Sequence, residues 1–348
     1  MERWQKSLAA SITSLEELVG QFQIDPGPLK PVIDRYPMRI TPYYLSLIRE
    51  IGDPIWRQSV PDTRELQDDP LPSDPLNEVE SSPTPRLIHR YPDRVVLLVS
   101  STCATFCRFC MRKSWLRNPE GFKTDDSIDA ALEYIERTPA IRDVILSGGD
   151  PLLFSDELLE NILRKIRKIS HVEIVRIGTR APVTLPDRIT HRLCRMLKLY
   201  HPLYVNTHFN HPLEMTPQCA RACTRLIDSG IPVGNQTVLL KDINDDPAVM
   251  KQLMQMLLTI RVRPYYLHHM DLVQGTRHFR TSVEQGLKIM AAMRGFTSGL
   301  AIPYYVIDLP EGKGKVPILP ENVKIDGQRL YLRNHLGEII EYPDVAGE

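Results

Sequence analysis

The segment Cys103-Ala-Thr-Phe-Cys107-Arg-Phe-Cys110 constrains this chain more than any other. Its cysteines, at spacings of four and three, follow closely on the apolar run 95–99. Three thiolates held close together can take three irons of a [4Fe–4S] cluster and leave the fourth iron open to another ligand. An open iron lets a cluster bind and reduce a small molecule instead of only relaying electrons. The alternatives are three structural cysteines or part of a zinc site, and zinc usually asks for a fourth Cys or His at similar spacing. None follows closely: the next histidine is His171 and the next cysteine is Cys194.

With 348 residues the chain can bury a large core, and α/β barrels of this size are common. Lys and Arg total 43 and Asp and Glu total 43, so no net field recruits nucleic acid or an anionic membrane. Apolar runs such as 95–99 and 302–309 are too short to span a bilayer. The start, Met-Glu-Arg-Trp-Gln-Lys, leads into an amphipathic stretch with Glu16 and Glu17 and is unlike a signal core. Six cysteines in so long a chain do not read as a disulfide framework, and a reducing cytoplasm is the expected compartment.

Residues 1–75 read as a helical N-terminal region, because 11–22 and 43–51 carry apolar residues at helical spacing. A Pro-, Asp- and Ser-rich stretch at 68–85 reads as an extended connector, and 76–93 leads from it into the first strand. From residue 94 the chain alternates. β-rich runs at 95–99, 144–146, 172–177, 203–207, 233–239, 264–267 and 303–308 are mostly separated by amphipathic helical stretches. In one of these, 156–168, Leu158, Leu159, Ile162, Leu163 and Ile166 form an apolar stripe. Such repeats predict an α/β fold, an incomplete (β/α)6 barrel over 94–320 with a helical N-terminal extension and a short C-terminal tail at 321–348. In such barrels the chemistry gathers at the C-terminal ends of the strands.

CxxxCxxC after a first strand is the signature of radical S-adenosylmethionine (SAM) enzymes, and the surrounding text resembles the lysine 2,3-aminomutase family among them. The resembling segments are His89-Arg-Tyr-Pro-Asp-Arg-Val95, Ile145-Leu-Ser-Gly-Gly-Asp-Pro-Leu152, Asn206-Thr-His-Phe-Asn-His-Pro212, Asn235-Gln236-Thr-Val-Leu-Leu240 and Arg263-Pro-Tyr-Tyr-Leu267. The resemblance implies a radical SAM barrel carrying a [4Fe–4S] cluster on Cys103, Cys107 and Cys110, with SAM and pyridoxal 5′-phosphate (PLP) as further cofactors. It implies an isomerase that moves the α-amino group of L-lysine to the β-carbon. Rival readings are the same shift on another amino acid, or on lysine destined for a translation elongation factor, and a non-catalytic iron–sulfur protein.

Ser147-Gly148-Gly149-Asp150 follows the second strand. Two glycines let backbone approach a ligand closely, and Asp150 can accept from an ammonium group, although such a turn alone is more often an ordinary cap. By resemblance this segment and Gln236 contact SAM. Gly312-Lys313-Gly314-Lys315-Val316-Pro317 offers a lysine flanked by flexible glycines, suited to a Schiff base, and the Pro317 register favours Lys315 as the PLP lysine. Arg90, Tyr91 and Arg94 resemble the family's PLP-phosphate stretch; alone they read equally as solvated edge charge. Arg112, with a planar fork suited to a carboxylate, takes the position of the α-carboxylate partner. Asp271 and Asp308, at neighbouring strand ends, take the positions of the pair that receives the lysine ε-ammonium. A glutamate-specific relative would need neutral or positive groups there.

Cys194, Cys219 and Cys223 read as buried structural thiols. By the same resemblance, members with a longer C-terminal extension carry a zinc site there, and with no cysteine after Cys223 no zinc is expected here. The expected partners are a small amino acid and a one-electron reductant of flavodoxin or ferredoxin type, with no nucleic acid and no membrane; a homo-oligomer is left open. His208, Asn210 and His211 match pocket-lining motifs without an assigned role.

Overall fold

From residue 87 onward the strands join one sheet in sequence order. They are β1 (Leu87–Tyr91), β2 (Arg94–Ser100), β3 (Asp143–Gly148), β4 (Ile174–Gly178), β5 (Leu203–Thr207), β6 (Val233–Leu239), β7 (Arg263–His269), β8 (Tyr304–Asp308) and β9 (Lys315–Pro317). Strands β2 to β8 run parallel, while β1 on β2 and β9 on β8 are antiparallel. The computed structural model describes residues 1–67, 70–115, 126–320, 322–326 and 329–343. The seven runs expected from sequence are β2 to β8, with boundaries within two residues. The curled parallel sheet with outer helices is the incomplete barrel that the alternation predicts.

Helices Asp156–Arg167, His191–Lys198, Pro217–Asp228, Pro247–Thr259 and Val283–Met293 supply buried apolar residues to one continuous core with the sheet. Asp156–Arg167 shows why they form. Ser155 caps its N-terminus by accepting from Leu158 N at 3.2 Å, with Asp156 and Glu157 in the first turn and Arg164, Lys165 and Arg167 in the last. Its stripe of Leu159, Ile162, Leu163 and Ile166 is buried, but Leu158 lies off the stripe and is 39% exposed.

Strand alternation separates core from site. Val144, Leu146, Val175, Ile177 and Val205 are buried, whereas Ile145, Ser147, Arg176, Asn206 and Gln236 are only half-buried. The charges of Arg94 and Arg176 both reach the Tyr266 hydroxyl, which places this second set on a shared concave face.

Five short helices, Arg3–Ala9, Leu15–Gln21, Lys30–Arg35, Pro42–Leu45 and Pro54–Ser59, precede the sheet. The stretch 11–22 becomes helical only after the Ser14 cap, because Ile12 pairs with Ile40 as an isolated bridge. In 43–51 the helix stops at Leu45, and Asp53 turns the chain by accepting from Arg49 N, Ile55 N and Trp56 N. The connector expected at 68–85 begins with Asp68 and Asp69, which lie outside the described residues; 70–85 forms turns and extended chain. The expected tail instead contains an antiparallel sheet of β10 (Val323–Asp326), β11 (Arg329–Arg333) and β12 (Ile339–Pro343). No helix among the described residues is long and apolar enough to cross a membrane.

The two edges of the main sheet are not paired as strands. They are bound by single contacts: Lys315 N donates to Tyr91 Oη at 2.8 Å, and Glu311 N donates to Pro75 O at 3.1 Å.

The outer layer tolerates little added volume over β8. A Cβ on Gly286, in helix Val283–Met293, would lie 2.3 Å from the ring of Tyr305, which is fully buried. Gly286→Ala should therefore destabilise the fold by about 1–3 kcal/mol through overpacking. A lower urea midpoint with unchanged slope on the cofactor-free protein is the expected result.

Candidate functional site

The cysteine loop leaves β2 and is pinned from the N-terminal side. Phe106 N donates to Arg39 O and Arg108 N donates to Gln58 O, each at 2.9 Å. Two cations of the loop itself are buried beneath it: Arg108 Nη2 lies 2.6 Å and Lys113 Nζ 2.7 Å from Glu65 Oε2. Burial pushes the Lys113 ammonium down to about 8, against the opposing pull of Glu65.

Cys103, Cys107 and Cys110 are half-buried and unbridged. Burial raises the Cys103 thiol well above its ordinary value and Cys110 to about 11, and neighbouring cysteines add to both shifts. Among the described residues no three His, Cys, Asp or Glu side chains converge on a point that one metal ion could fill. A four-iron cube asks for a different arrangement, with each thiolate on its own iron. Three thiols on one loop, with Cys103 and Cys110 both raised by the charge of Cys107, fit that demand. Cys194, Cys219 and Cys223 are buried in the core, away from this loop's role.

The glycine turn after β3 abuts the same loop. Gly148 has φ +120°, and a Cβ there would lie 2.2 Å from Ser100 O; one on Gly149 would lie 2.4 Å from Thr102 O. The glycines are thus required for approach to the cysteine loop, a reason the sequence reading did not supply. Asp150 is buried and its carboxylate is occupied. It accepts from Thr179 Oγ1 at 2.6 and 2.8 Å, Arg180 N at 2.8 Å and Leu152 N at 3.0 Å. The side chain expected to meet an ammonium group therefore braces the turns after β3 and β4. Gln236 sits half-buried on the concave phase of β6.

Register places Asp308, the last residue of β8, opposite Lys315 on β9. Lys315 Nζ donates to Asp308 Oδ2 at 2.5 Å and lies 3.3 Å from His268 Nδ1, which is itself 3.1 Å from Asp308 Oδ2. A single ring nitrogen cannot both accept from the ammonium and donate to the carboxylate, so His268 adjusts to whichever charge is present. Burial alone would raise the Asp308 carboxyl, but His268 and Lys315 outweigh it and hold it below the usual carboxylate range. Asp271 behaves oppositely: burial pushes it up to about 7 and the charge of Asp308 adds to the shift, against Lys315 and Arg112. The structure thus brings Asp271, Asp308, Lys315 and Arg112 within electrostatic reach of one another.

Lys313 instead faces solvent and pairs with Glu311 at 2.7 Å. Arg90 and Tyr91 stand beside the glycine loop: a Cβ on Gly312 would lie 2.8 Å from Arg90 Nε. That Nε is buried without a hydrogen-bond partner, which suits an absent anion. Arg94 stacks 4.1 Å from the Tyr91 ring centroid and bonds Asp93 at 3.1 Å.

Arg112 is clamped in a way the sequence reading did not foresee. Glu78 takes its Nε at 2.7 Å and its Nη2 at 2.6 Å, leaving the Nη1 side 3.4 Å from Ser147 Oγ. Glu78 lies in the connector and His268 near the C-terminal end of β7, where the strand-end rule could have found it. Arg180 was missed too, with no local motif to mark it. The Asn210 amide donates to Gln58 Oε1 and accepts from Val238 N, His211 Nδ1 accepts from Leu213 N, and the backbone N of both residues donates to Glu214 Oε2.

Residues 97–254 match the family described as Radical SAM superfamily, and residues 290–346 match the family described as Lysine-2,3-aminomutase. The chain is 48% identical over 346 residues to an L-lysine 2,3-aminomutase of Fusobacterium nucleatum, covering 98% of this chain and 81% of that protein. It is 46% identical over 347 residues to an L-lysine 2,3-aminomutase of Clostridium subterminale, covering 98% and 83%. It is 42% identical over 346 residues to a glutamate 2,3-aminomutase of Clostridioides difficile, covering 98% and 82%.

Alanine in place of Cys103, Cys107 or Cys110 should abolish the iron–sulfide chromophore formed on anaerobic reconstitution. Alanine at Cys194, Cys219 or Cys223 should leave iron and sulfide content at the parental level.

Proposed function

The chain belongs to the lysine 2,3-aminomutase family of radical SAM enzymes, and from that premise we propose that it converts L-lysine to β-lysine by moving the α-amino group to the β-carbon. The observation that carries the choice of lysine is the carboxylate pair, Asp271 and Asp308, at neighbouring strand ends beside Lys315. A glutamate side chain would meet two carboxylates there and be repelled, whereas a lysine ε-ammonium would be paired.

Residues suited to each cofactor are present. Cys103, Cys107 and Cys110 would hold the [4Fe–4S] cluster, and Ser147, Gly148, Gly149, Asp150 and Gln236 would line the SAM site, Asp150 as its buried brace. Lys315 would bind PLP, with Arg90, Tyr91 and Arg94 on its phosphate. When bound, these groups supply a carbon-centred radical for hydrogen abstraction and a conjugated ring that steadies the migrating nitrogen.

The protein's own contribution is placement. Glu78 fixes one edge of the Arg112 guanidinium, so its remaining N–H groups stay aimed for a substrate carboxylate. Asp271 and Asp308 would take the distal ammonium and set the distance from the carboxylate end. Lys315 must leave Asp308 as the substrate ammonium arrives, and the glycines at 312 and 314 give it that freedom. We further propose a low-potential one-electron donor of flavodoxin or ferredoxin type, and a reducing cytoplasm as the compartment.

Reconstituted protein, incubated anaerobically with SAM, PLP, reductant and a panel of lysine, glutamate and alanine, should yield a β-amino product chiefly from lysine. A product from glutamate alone would overturn the substrate assignment. Borohydride reduction and peptide mapping should place the pyridoxyl group on Lys315; a label on Lys313 would show the wrong register.

Replacing Asp271 or Asp308 with Asn removes one charge-assisted partner from the ammonium. Such bonds contribute about 1.5–3 kcal/mol each, so kcat/KM for lysine should fall roughly ten- to a hundredfold while alanine is barely affected. The pH profile separates the two positions. Asp271, raised by burial to about 7, is protonated below that pH and offers no charge to the ammonium. In the parent, kcat/KM should therefore rise as pH increases through about 7, and Asp271→Asn should lose that limb.

A further inference from the structure

Arg180 follows β4 and is 9% exposed, yet no sequence motif marks it. Each of its three guanidinium nitrogens has an acceptor. Nη1 donates to Cys107 Sγ at 2.7 Å, and Nε donates to His208 O at 3.3 Å. Nη2 faces Glu214 Oε1 and Gln58 Oε1, each at 2.6 Å, and Tyr44 Oη at 3.1 Å. Glu214 is fully buried and is held in turn by Tyr44 Oη at 2.7 Å and by Asn210 N at 2.5 Å. The backbone N of Arg180 is fixed by Asp150, so both ends of the residue are anchored.

Such a network is costly to bury for packing alone, since removing either charge would strand the other. One of its N–H groups is spent on a cysteine sulfur. A cationic donor on a ligand sulfur stabilises added negative charge on a cluster, because the hydrogen bond strengthens as the sulfur becomes more electron-rich. Reduction of a [4Fe–4S] cluster from the 2+ to the 1+ state adds one electron and, here, moves no proton. We propose that Arg180 is a positioning residue that raises the reduction potential of the cluster through its hydrogen bond to Cys107, with Glu214, Gln58 and Tyr44 holding the guanidinium in place. The proposal rests on the cluster reading given above. It gives the segment Asn206-Thr-His-Phe-Asn-His211 a purpose: the His208 carbonyl accepts from the guanidinium, and Asn210 N holds the Glu214 carboxylate that pairs with it.

The test is an EPR-monitored redox titration of the anaerobically reconstituted protein, with dithionite as the electron donor and no substrate. Arg180→Gln leaves Glu214 buried without its cation and risks misfolding, so the decisive variant is Arg180→Gln with Glu214→Gln, which removes both charges. Arg180→Lys is the conservative control, keeping the charge but not the fork. The double variant should assemble iron and sulfide at the parental level and show its reduction equilibrium about tenfold less favourable, a shift of about 59 mV to more negative potential for one electron. Arg180→Lys should shift in the same direction by less.

SAM affinity is measured separately on the oxidised cluster. A double variant whose midpoint equals that of the parent would overturn the proposal, and weakened SAM binding with that unchanged midpoint would place Arg180 in the SAM site instead. Failure of the parent itself to hold a cluster would overturn the functional reading and not merely this inference.

Discussion

Burying a cation without a partner costs several kcal/mol, and the cysteine loop carries two in its own sequence, Arg108 and Lys113. Both are drawn to Glu65, which is itself fully buried beneath the loop. Glu65 belongs to the N-terminal region, so its pull fastens the loop to chain more than forty residues earlier. A second buried glutamate, Glu214, performs the same service through Arg180 on the other side of Cys107. Hydrophobic packing shapes the sheet, but it is non-directional and could not aim three thiols. These paired charges can, because each hydrogen bond fixes an angle as well as a distance.

The sheet supplies the second constraint. Its parallel strands carry the site at their C-terminal ends, yet the sheet ends on two antiparallel edge strands that do not pair with each other. The gap between them is bridged at Lys315, the residue proposed to bind PLP. Tyr91 receives the backbone of Lys315 and Arg90 sits against Gly312, so the putting-together of the two edges and the placing of the lysine are one event. A continuous ladder there would satisfy the backbone as well, but it would hold Lys315 and its glycine neighbours rigidly.

Much of this was legible beforehand because it is written in local pattern. Alternating strands and amphipathic helices repeat at short range, and β2 to β8 fall within two residues of the runs read from sequence. The edge strands were not legible. Leu87–Tyr91 and Lys315–Pro317 are short, at five and three residues, and each pairs with a single neighbouring strand of the sheet. Nor were β10 to β12, whose pairing is set by one another. Cys103, Cys107 and Cys110 were read from their spacing, and Asp271, Asp308 and Lys315 from strand ends and a glycine loop together with the family resemblance. Their partners were hidden, since Glu78, Arg180 and Glu65 lie far from them in sequence and carry no pattern of their own. Asp150, a carboxylate after two glycines, looks free in a string of letters, whereas in the fold it accepts from Thr179 Oγ1, Arg180 N and Leu152 N.

The charges at the mouth also explain why the substrate reading favours one side chain. Lys315 and Arg112 set two cations against three carboxylates, Glu78, Asp271 and Asp308. Each cation takes one partner, Glu78 for Arg112 and Asp308 for Lys315, and Asp271 is left over. The leftover carboxylate responds as an unpaired buried acid must: it holds its proton up to about neutral pH. A ligand with a net positive charge would offset this imbalance, because its ammonium would give Asp271 a partner. A neutral amino acid leaves Asp271 protonated and gains nothing from it. An acidic one adds a fourth negative charge to a half-buried pocket, where low dielectric strengthens the repulsion. The site is therefore short of one cation, which the side-chain ammonium of lysine supplies and the side chains of glutamate and alanine do not.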